Sequence, residues 1–367
     1  MKTKIRPFFF YIFCLVSLFF MLGATTSVYA YAPPPDPGGG NGGGDGGNGG
    51  GGNGGGGDIP DDTVVVDGKE YTDFAAAISA ITDKSVVEFG AGEYNQGITV
   101  RNNEVVLRGS PGTHFKGAQV QGKGTFVIVG NNVRIEDIEC SNVAVRDQNG
   151  ACVRQEGRDL VLDGVYFHSS EQGLLSAEGS GSLLITNSTF SELGKNGRAH
   201  GIYSNNETLT IRNSTIKSSK SQGHEVKSRA NVTNIESSTI ASLGGQDSRV
   251  LDIPNGGALR ITHSVLQQGP NSVNRQLIGF GLEPQYDPLA MHVIEIQDTV
   301  IILERNGTNE FLALPQNGSD YLVISIDGND FVGEFLDKGN LPQSNNFYPN
   351  RAAYGIGPYP ALPMIEN

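Results

Sequence analysis

Helical periodicity is almost absent from this sequence of 367 residues. Only residues 71–82 place apolar side chains at helical spacing, with Phe74, Ile78 and Ile81 on one face. This scarcity excludes helical bundles and folds in which helices alternate regularly with strands. Most of the chain must therefore be built from strands and turns.

Long hydrophobic runs are also scarce. The single clear run spans residues 7–22, follows Lys2, Lys4 and Arg6, and precedes a small-residue cleavage pattern ending at Ala30. It is shorter than a typical membrane span and no stop-transfer segment follows it. Residues 1–30 are therefore predicted to be a signal peptide, and the protein is expected to be secreted or periplasmic without stable membrane insertion.

Composition divides the remaining chain. Residues 31–61 consist mostly of Gly, Pro, Asn and Asp, which predicts a flexible linker that cannot form a core. Residues 62–347 are predicted to form one domain, and residues 348–367, with several prolines, an irregular tail. We expect a monomer.

Cysteine is rare, with three residues in the whole chain. Cys14 lies in the apolar run, so only Cys140 and Cys152 belong to the predicted domain. In an exported protein these two could form a disulfide, or they could be two buried thiols, and the sequence leaves both alternatives open. Neither is expected to be catalytic.

A six-residue phrase recurs through the predicted domain and indicates its architecture. Its eight copies begin at Ile135, Leu162, Ile185, Ile211, Ile235, Ile261, Ile296 and Ile326. A period in the mid-twenties, without helices, is typical of a solenoid in which each unit is one coil of a parallel β-helix. The apolar first and sixth positions should point into the core. The third position, rich in Asn, Asp and Gly, should form a tight left-handed turn.

The fold class predicted from these patterns is all-β: a parallel β-helix, or solenoid, with an N-terminal capping helix. The helix over residues 71–82 stands just before the first coils. It would cover the open end of the stack, as terminal units of solenoids must.

Charge is unevenly distributed. The chain carries a net charge of −13, yet residues 191–275 contain ten Lys or Arg and six Asp or Glu and so carry +4. A basic patch on an acidic, exported solenoid predicts an anionic ligand, and acidic polysaccharide is the natural match. Nucleic acid is a poor candidate for the ligand, because the protein is expected to be exported and its net charge is negative. Chance clustering on a solvated face is the alternative.

Three adjacent coils bring ionisable residues together in the sequence pattern. Tyr203, Lys227 and Ile253 each stand eight residues before the next opening Ile, so they are expected in one strand column. His200 and His224, in the same register, should be about 5 Å apart.

The faces of these strands follow from the alternation. If Val226 points inward, Glu225 and Lys227 point outward with Tyr203. Arg249 follows Lys227 by about one coil, and Asp252 lies beside that column, subject to a shift of one residue in register. The other histidines are interpreted as structural: His114, His168, His263 and His292.

This plan resembles the pectate-lyase-like superfamily of right-handed parallel β-helix proteins. Glu225-Val-Lys227-Ser228, followed by an Arg about one coil later, is also similar to the alginate lyase and chondroitin-B lyase family. The resemblance implies that Lys227 is the base and that Arg249 assists it. That family also binds calcium, but its carboxylates have no clear equivalents here. No metal site is predicted, and a calcium requirement stays open.

The residue types suit β-elimination from a uronic acid. Arg249 or Arg229 could clamp the carboxylate and stabilise the enolate-like anion, and Lys227 or a histidine near neutrality could remove the proton. Tyr203 could donate a proton to the departing oxygen, and Asp252 could orient a histidine. The predicted catalytic residues are Lys227, Arg249, His200, His224 and Tyr203. The predicted substrate-binding residues are Arg229, Asp252, Glu225 and Asn255.

Three classes of function remain open. The leading candidate is a secreted polysaccharide lyase that acts on a uronate-containing polymer. A C5-epimerase would use the same proton abstraction on the same substrates, and a carbohydrate-binding or adhesin-like β-helix would use none. A hydrolase ranks lower, because it would need two or three carboxylates in the site.

Overall fold

The fold is described from a computed structural model, which places residues 59–316 and 320–365. The predicted signal peptide and nearly all of the predicted linker lie outside the described residues, so both remain predictions. None of the helices in the described segments is long and apolar enough to cross a membrane.

The described chain winds through three sheets of parallel strands, and only the first strands of sheet 1 pair antiparallel. In spatial order, the strands of sheet 1 are Lys69–Tyr71, Val64–Val66, Val86–Phe89, Val106–Gly109, Val133–Glu136, Leu160–Asp163, Ser182–Thr186, Thr208–Arg212, Val232–Glu236, Ala258–Thr262, His292–Gln297 and Leu322–Asp327. Those of sheet 2 are Gly92–Gln96, Thr113–Gln119, Glu139–Ser141, Tyr166–His168, Thr189–Ser191, Thr215–Lys217, Thr239–Ala241, Val265–Gln268, Val300–Leu303, Asp330–Val332 and Asn346–Tyr348. Those of sheet 3 are Ile98–Val100, Gly124–Ile128, Ala151–Gln155, Gln172–Ser176, Ile202–Ser204, Val226–Ser228, Leu251–Ile253, Gln276–Phe280 and Glu310–Ala313.

The repeated phrase forms the corner between sheets 1 and 2, as predicted. Its first and sixth positions are buried in all eight copies, and they stack into one continuous apolar core. Every third-position residue has a positive φ, between 46° at Ser237 and 71° at Gly328. The left-handed turn there lets one apolar side chain on each side of the corner face inward, which strict alternation would forbid.

A ladder of serines stabilises the same corner. Each hydroxyl accepts from the backbone N–H of the equivalent residue one coil earlier, Val165 for Ser188 and a serine for the others, and donates to the carbonyl two residues before it. Ser238 Oγ is 3.1 Å from Ser214 N and 2.8 Å from the Glu236 carbonyl. The ladder runs through Ser188, Ser214, Ser238 and Ser264. Serine at this position thus satisfies backbone groups that the turn leaves unpaired.

The N-terminal helix is confirmed, but it is shorter than predicted. It spans Phe74–Ser79, and the Asp73 side chain caps it by accepting from Ala76 N at 2.6 Å. Ala77 is buried and Phe74 packs against the core. The helix ends early because the chain turns at residues 82–85, where the Ser85 hydroxyl accepts from Thr82 N at 3.0 Å.

The described part of the predicted tail, residues 348–365, contains one short α-helix and packs against the β-helix. A 3₁₀ helix, Leu336–Asn340, and a short α-helix, Arg351–Tyr354, flank the last strand of sheet 2. Arg351 forms an ion pair with Glu304 at 2.6 Å. Ile356 and Leu362 pack against the outer face of sheet 2. The apolar residues of this segment therefore cover part of the β-helix surface.

Cys140 and Cys152 form a disulfide, which resolves the two alternatives left open by the sequence. Cys140 lies on sheet 2 and Cys152 on sheet 3, and both are fully buried. The bond thus joins two walls of one coil inside the core.

Candidate functional site

The candidate site lies on sheet 3, where three short strands place polar residues side by side. Tyr203 pairs with Lys227, Lys227 with Asp252, and Asp252 with Gly279. The predicted column therefore exists, but Asp252 occupies the place expected for Ile253, which is buried in the core. One additional residue between Leu251 and Ala258, relative to the coil before, accounts for the shift.

The additional residue is absorbed by a glycine turn. Gly256 and Gly257 have φ values of 75° and 97°, a region that L side chains rarely adopt. A side chain at Gly257 would also collide with the carbonyl of Asn231, because its Cβ would lie 2.6 Å from that oxygen. The turn thereby brings Asn255 to the edge of the site.

Lys227 is the centre of the cluster. Its Nζ lies 3.1 Å from Asp252 Oδ2 and 2.5 Å from Glu283 Oε1, and the residue is 9% exposed. The ammonium group also lies 5.7 Å from the centre of the Tyr203 ring. Lys227 thus points outward from the strand, as expected, but two carboxylates cover it.

Glu283 is a member of the cluster that the sequence patterns did not identify. Its carboxylate bridges the side chains of Lys227 and Arg229, and these two cations hold the pKa of Glu283 below its ordinary value despite partial burial. Glu283 lies outside the repeated strands, in the connection after Gln276–Phe280. The only sequence signal was the long spacing of 35 residues between the phrases at Ile261 and Ile296.

The segment that carries Glu283 is anchored at several points. Gly281 N donates to the Ile253 carbonyl at 2.9 Å, and the ring of Tyr286 stacks on His292 at 4.4 Å. His292 in turn accepts from Gly257 N at 2.9 Å. Glu283 is therefore held over the glycine turn, and His292 has the structural role expected for it.

Arg229 joins two of the predicted residues, Tyr203 and Asn255, to Glu283. Its Nε donates to the Tyr203 hydroxyl at 2.9 Å and its Nη1 to Asn255 Oδ1 at 2.6 Å, while Nη2 contacts Glu283. This network fixes the plane of the guanidinium group. A second planar acceptor, such as a substrate carboxylate, could replace Glu283 without moving Tyr203 or Asn255.

His200 and His224 stack against each other, with ring centres 4.9 Å apart. His200 Nδ1 accepts from the backbone N–H of His224 at 3.0 Å, and His224 Nε2 lies 3.5 Å from Asp252 Oδ2. Both rings are almost fully buried behind Lys227 and Asp252. The column therefore brings both histidines to the cluster, but beneath its surface.

Burial changes the chemistry expected of these histidines. Desolvation, reinforced by nearby positive charge, lowers the pKa of His224 to about 3 and lowers that of His200 well below its ordinary value. Both imidazoles are therefore neutral near pH 7, and the expectation of histidines poised near neutrality is wrong. They are better suited to packing behind Lys227 and Asp252 than to taking up a proton.

Asp252 connects the two sides of the cluster. Its Oδ1 lies 3.3 Å from Arg249 Nη1, and its Oδ2 faces Lys227. The neighbouring Gly279 leaves room for this pair, because a Cβ at position 279 would lie 3.1 Å from Asp252 Oδ1 and 3.2 Å from Arg249 Cδ. The structure therefore places Arg249 and Asp252 next to Lys227.

Glu225 does not join the cluster. Its carboxylate is fully buried and accepts from Ser219 N at 2.6 Å and Ser219 Oγ at 2.7 Å. Burial, and then the nearby Asp247, raises its pKa well above the ordinary value. The strand begins only at Val226, so alternation does not extend back to Glu225, and the expectation that it points outward is wrong.

The charge of the cluster favours an anionic ligand. Lys227, Arg229 and Arg249 face two carboxylates, Asp252 and Glu283, while both histidines are neutral. If Glu283 moves away, three cations remain against one carboxylate. The donor set is thus suited to an anion rather than to a metal ion, and calcium would find only two carboxylates there, each already paired with cations.

Comparison with known proteins supports the fold. The family model for right-handed β-helix regions matches residues 81–245. The structure of pectate lyase Pel9A is similar to this chain with a TM-score of 0.41 and 14% sequence identity, covering 74% of this chain and 73% of that chain. No curated protein matches the sequence. The predicted right-handed parallel β-helix is confirmed by the three parallel sheets and by the family model over residues 81–245, and the reaction is a separate question.

Proposed function

We propose that the protein is a polysaccharide lyase that cleaves a uronate-containing polymer by β-elimination. The observation that supports this most strongly is the carboxylate of Glu283, which lies between Lys227 and Arg229. A uronate carboxylate has the same charge and planar shape. In this proposal it displaces Glu283 and is clamped by Arg229, whose orientation is already fixed by Tyr203 and Asn255.

The remaining groups then have defined roles. With Glu283 displaced, Lys227 keeps one carboxylate partner, Asp252, and in its neutral form removes the proton on C5. The electron pair of that C–H bond forms the C4–C5 double bond as the C4–O bond breaks. Tyr203 donates a proton to the departing oxygen. Arg229 and Arg249 stabilise the negative charge that develops on the carboxylate.

Two features support an exported protein acting on such a polymer. The Cys140–Cys152 disulfide suits an oxidising compartment. The site is on the outer face of a long stack of coils, where a polymer could run past several strands. Both agree with the signal peptide and the acidic-polysaccharide partner predicted from the sequence.

The test is incubation with alginate, pectate, glucuronan and a glycosaminoglycan, followed by measurement of ultraviolet-absorbing unsaturated products. We expect product from at least one polymer. Binding without product would instead assign a carbohydrate-binding protein. Inversion at C5 detected by NMR without chain cleavage would assign an epimerase.

Two substitutions at Lys227 separate its roles. Lys227→Ala should abolish turnover, and Lys227→Arg should abolish it while keeping the positive charge, because a guanidinium group does not give up its proton in proteins. Lys220→Ala, at an exposed lysine of the same basic region, is the matched control and should retain full activity. Turnover by Lys227→Arg close to wild type would exclude Lys227 as the base.

A further inference from the structure

A second cluster of chemically active side chains lies on sheet 2, on a different wall of the β-helix from the candidate lyase site. His114, Glu139 and His168 come from three successive strands, Thr113–Gln119, Glu139–Ser141 and Tyr166–His168. In the pairing register Glu139 lies opposite His114, and Ser141 lies opposite His168. From the sequence, both histidines were expected to be structural.

The distances in this cluster are close to those of a metal site. Glu139 Oε1 lies 2.9 Å from His168 Nε2 and 3.5 Å from His114 Nε2. One ligand atom from each residue lies within 4.8 Å of the others. Zinc bonds of about 2.0–2.1 Å in a tetrahedron place ligand atoms about 3.3 Å apart. Two of the three edges are therefore already near the required length, and small side-chain rotations would complete the third.

The surroundings hold the ligands in place. Tyr166 stacks on the ring of His168 with centres 4.4 Å apart, and the Ser169 hydroxyl lies 3.1 Å from His168 Nδ1. A partner on the second ring nitrogen is the usual way in which a metal-binding histidine is oriented. The backbone of three hydrogen-bonded strands supplies a rigid frame.

The charge around the cluster also suits a cation. Lys116 is a positive side chain near the cluster, and Glu93 pairs with it at 2.8 Å. The two negative charges of Glu93 and Glu139 therefore outnumber the single positive charge of Lys116. The three ligand side chains are 17–29% exposed, so an ion could enter from solvent and would still be partly shielded from it.

We propose that His114, Glu139 and His168 bind a divalent transition-metal ion, with zinc as the best match to two imidazoles and one carboxylate. Three protein ligands leave at least one coordination position for water or an anionic group. The site would also fasten three coils of sheet 2 together. It is independent of the proposed lyase reaction, because none of its residues contacts the cluster on sheet 3.

This inference is tested by calorimetric titration with zinc chloride. The full chain is used without a tag and is first treated with a chelator to remove bound metal. We expect one zinc ion per chain and a higher midpoint of thermal unfolding with zinc. Replacing zinc with cobalt should produce the visible absorption of a tetrahedral site. Absence of saturable binding by the wild type, or binding of several ions with no defined stoichiometry, would overturn the proposal.

Variants locate the ion. His168→Ala and Glu139→Gln should each weaken zinc binding by more than about 10-fold. The Gln side chain keeps the size of Glu139 and the capacity to contact His168, so its metal-free unfolding midpoint should stay close to wild type. His263→Ala is the control, because His263 is exposed and lies near one carboxylate, that of Asp298, at 3.8 Å. Equal zinc affinity in all three variants would place the ion elsewhere and refute the assignment.

Discussion

Removal of the Glu283 carboxylate should strengthen the binding of acidic oligosaccharides. Glu283 bridges Lys227 and Arg229, so an incoming carboxylate must compete with it. Glu283→Gln keeps the size of the side chain and removes its charge. The loss of competition should then appear directly in the dissociation constant of a ligand that uses the same two cations.

The magnitude follows from the two ion pairs. A partly exposed ion pair contributes up to about 1 kcal/mol, and Glu283 makes two of them, so competition costs about 1–2 kcal/mol. This corresponds to roughly 5- to 30-fold tighter binding by Glu283→Gln. The gain should shrink at high salt, because screening weakens both the competing pairs and the new ones.

The assay is calorimetric titration with short alginate and polygalacturonate oligomers at low and physiological salt. Glu295→Gln is the matched control, because Glu295 pairs with Arg260 on sheet 1 at 2.7 Å and is similarly accessible. It should leave the affinity unchanged. Unchanged affinity in Glu283→Gln would refute the competition. Weaker binding would show instead that Glu283 itself holds the ligand.

Three further predictions concern stability, measured by denaturant unfolding. Cys152→Ser should lower the free energy of unfolding by about 3 kcal/mol, because the disulfide closes a loop of sequence separation 12 in the unfolded chain; reductant should destabilise the wild type but not the variant. Burial raises the pKa of Asp247 from 3.8 to about 6, so the native state binds a proton more tightly than the unfolded state. The contribution of Asp247 to stability should therefore fall as pH rises from 3.8 to about 6, whereas the buried His200 and His224 act in the opposite direction. The free energy of unfolding of the wild type minus that of Asp247→Asn should decrease over that interval, and a constant or rising difference would contradict the assignment. Ser238→Ala should cost about 1–3 kcal/mol, because it leaves Ser214 N–H buried and unpaired, whereas Ser344→Ala at the surface should change little.

The repeated phrase was enough to predict the coil architecture because its positions have strict physical meaning. Apolar residues at its two ends and a left-handed residue between them leave the chain few other ways to bury its surface. Asn187, Asn213 and Ser237 all adopt that turn. The same regularity placed His200 beside His224 and Tyr203 beside Lys227, since parallel strands in register keep equal positions adjacent.

The failures lie where this regularity stops. Glu225 stands one residue before its strand, so its side chain turns beneath the preceding loop rather than outward. Asp252, rather than Ile253, lies in the predicted column, because the one additional residue of this coil is accommodated after the strand and not before it. The low pKa of the histidines depends on burial, which a spacing rule does not measure.

The sequence by itself determined the solenoid, its period, its inward faces and the set of coils that carry the polar cluster, because these depend on local patterns repeated at every turn. Only the tertiary structure decided that Glu283 lies between Lys227 and Arg229, and that His114, Glu139 and His168 meet on another wall. These contacts depend on how a connecting loop folds back over the sheet. They also depend on the strand register between coils of different length. No local pattern in the chain specifies either.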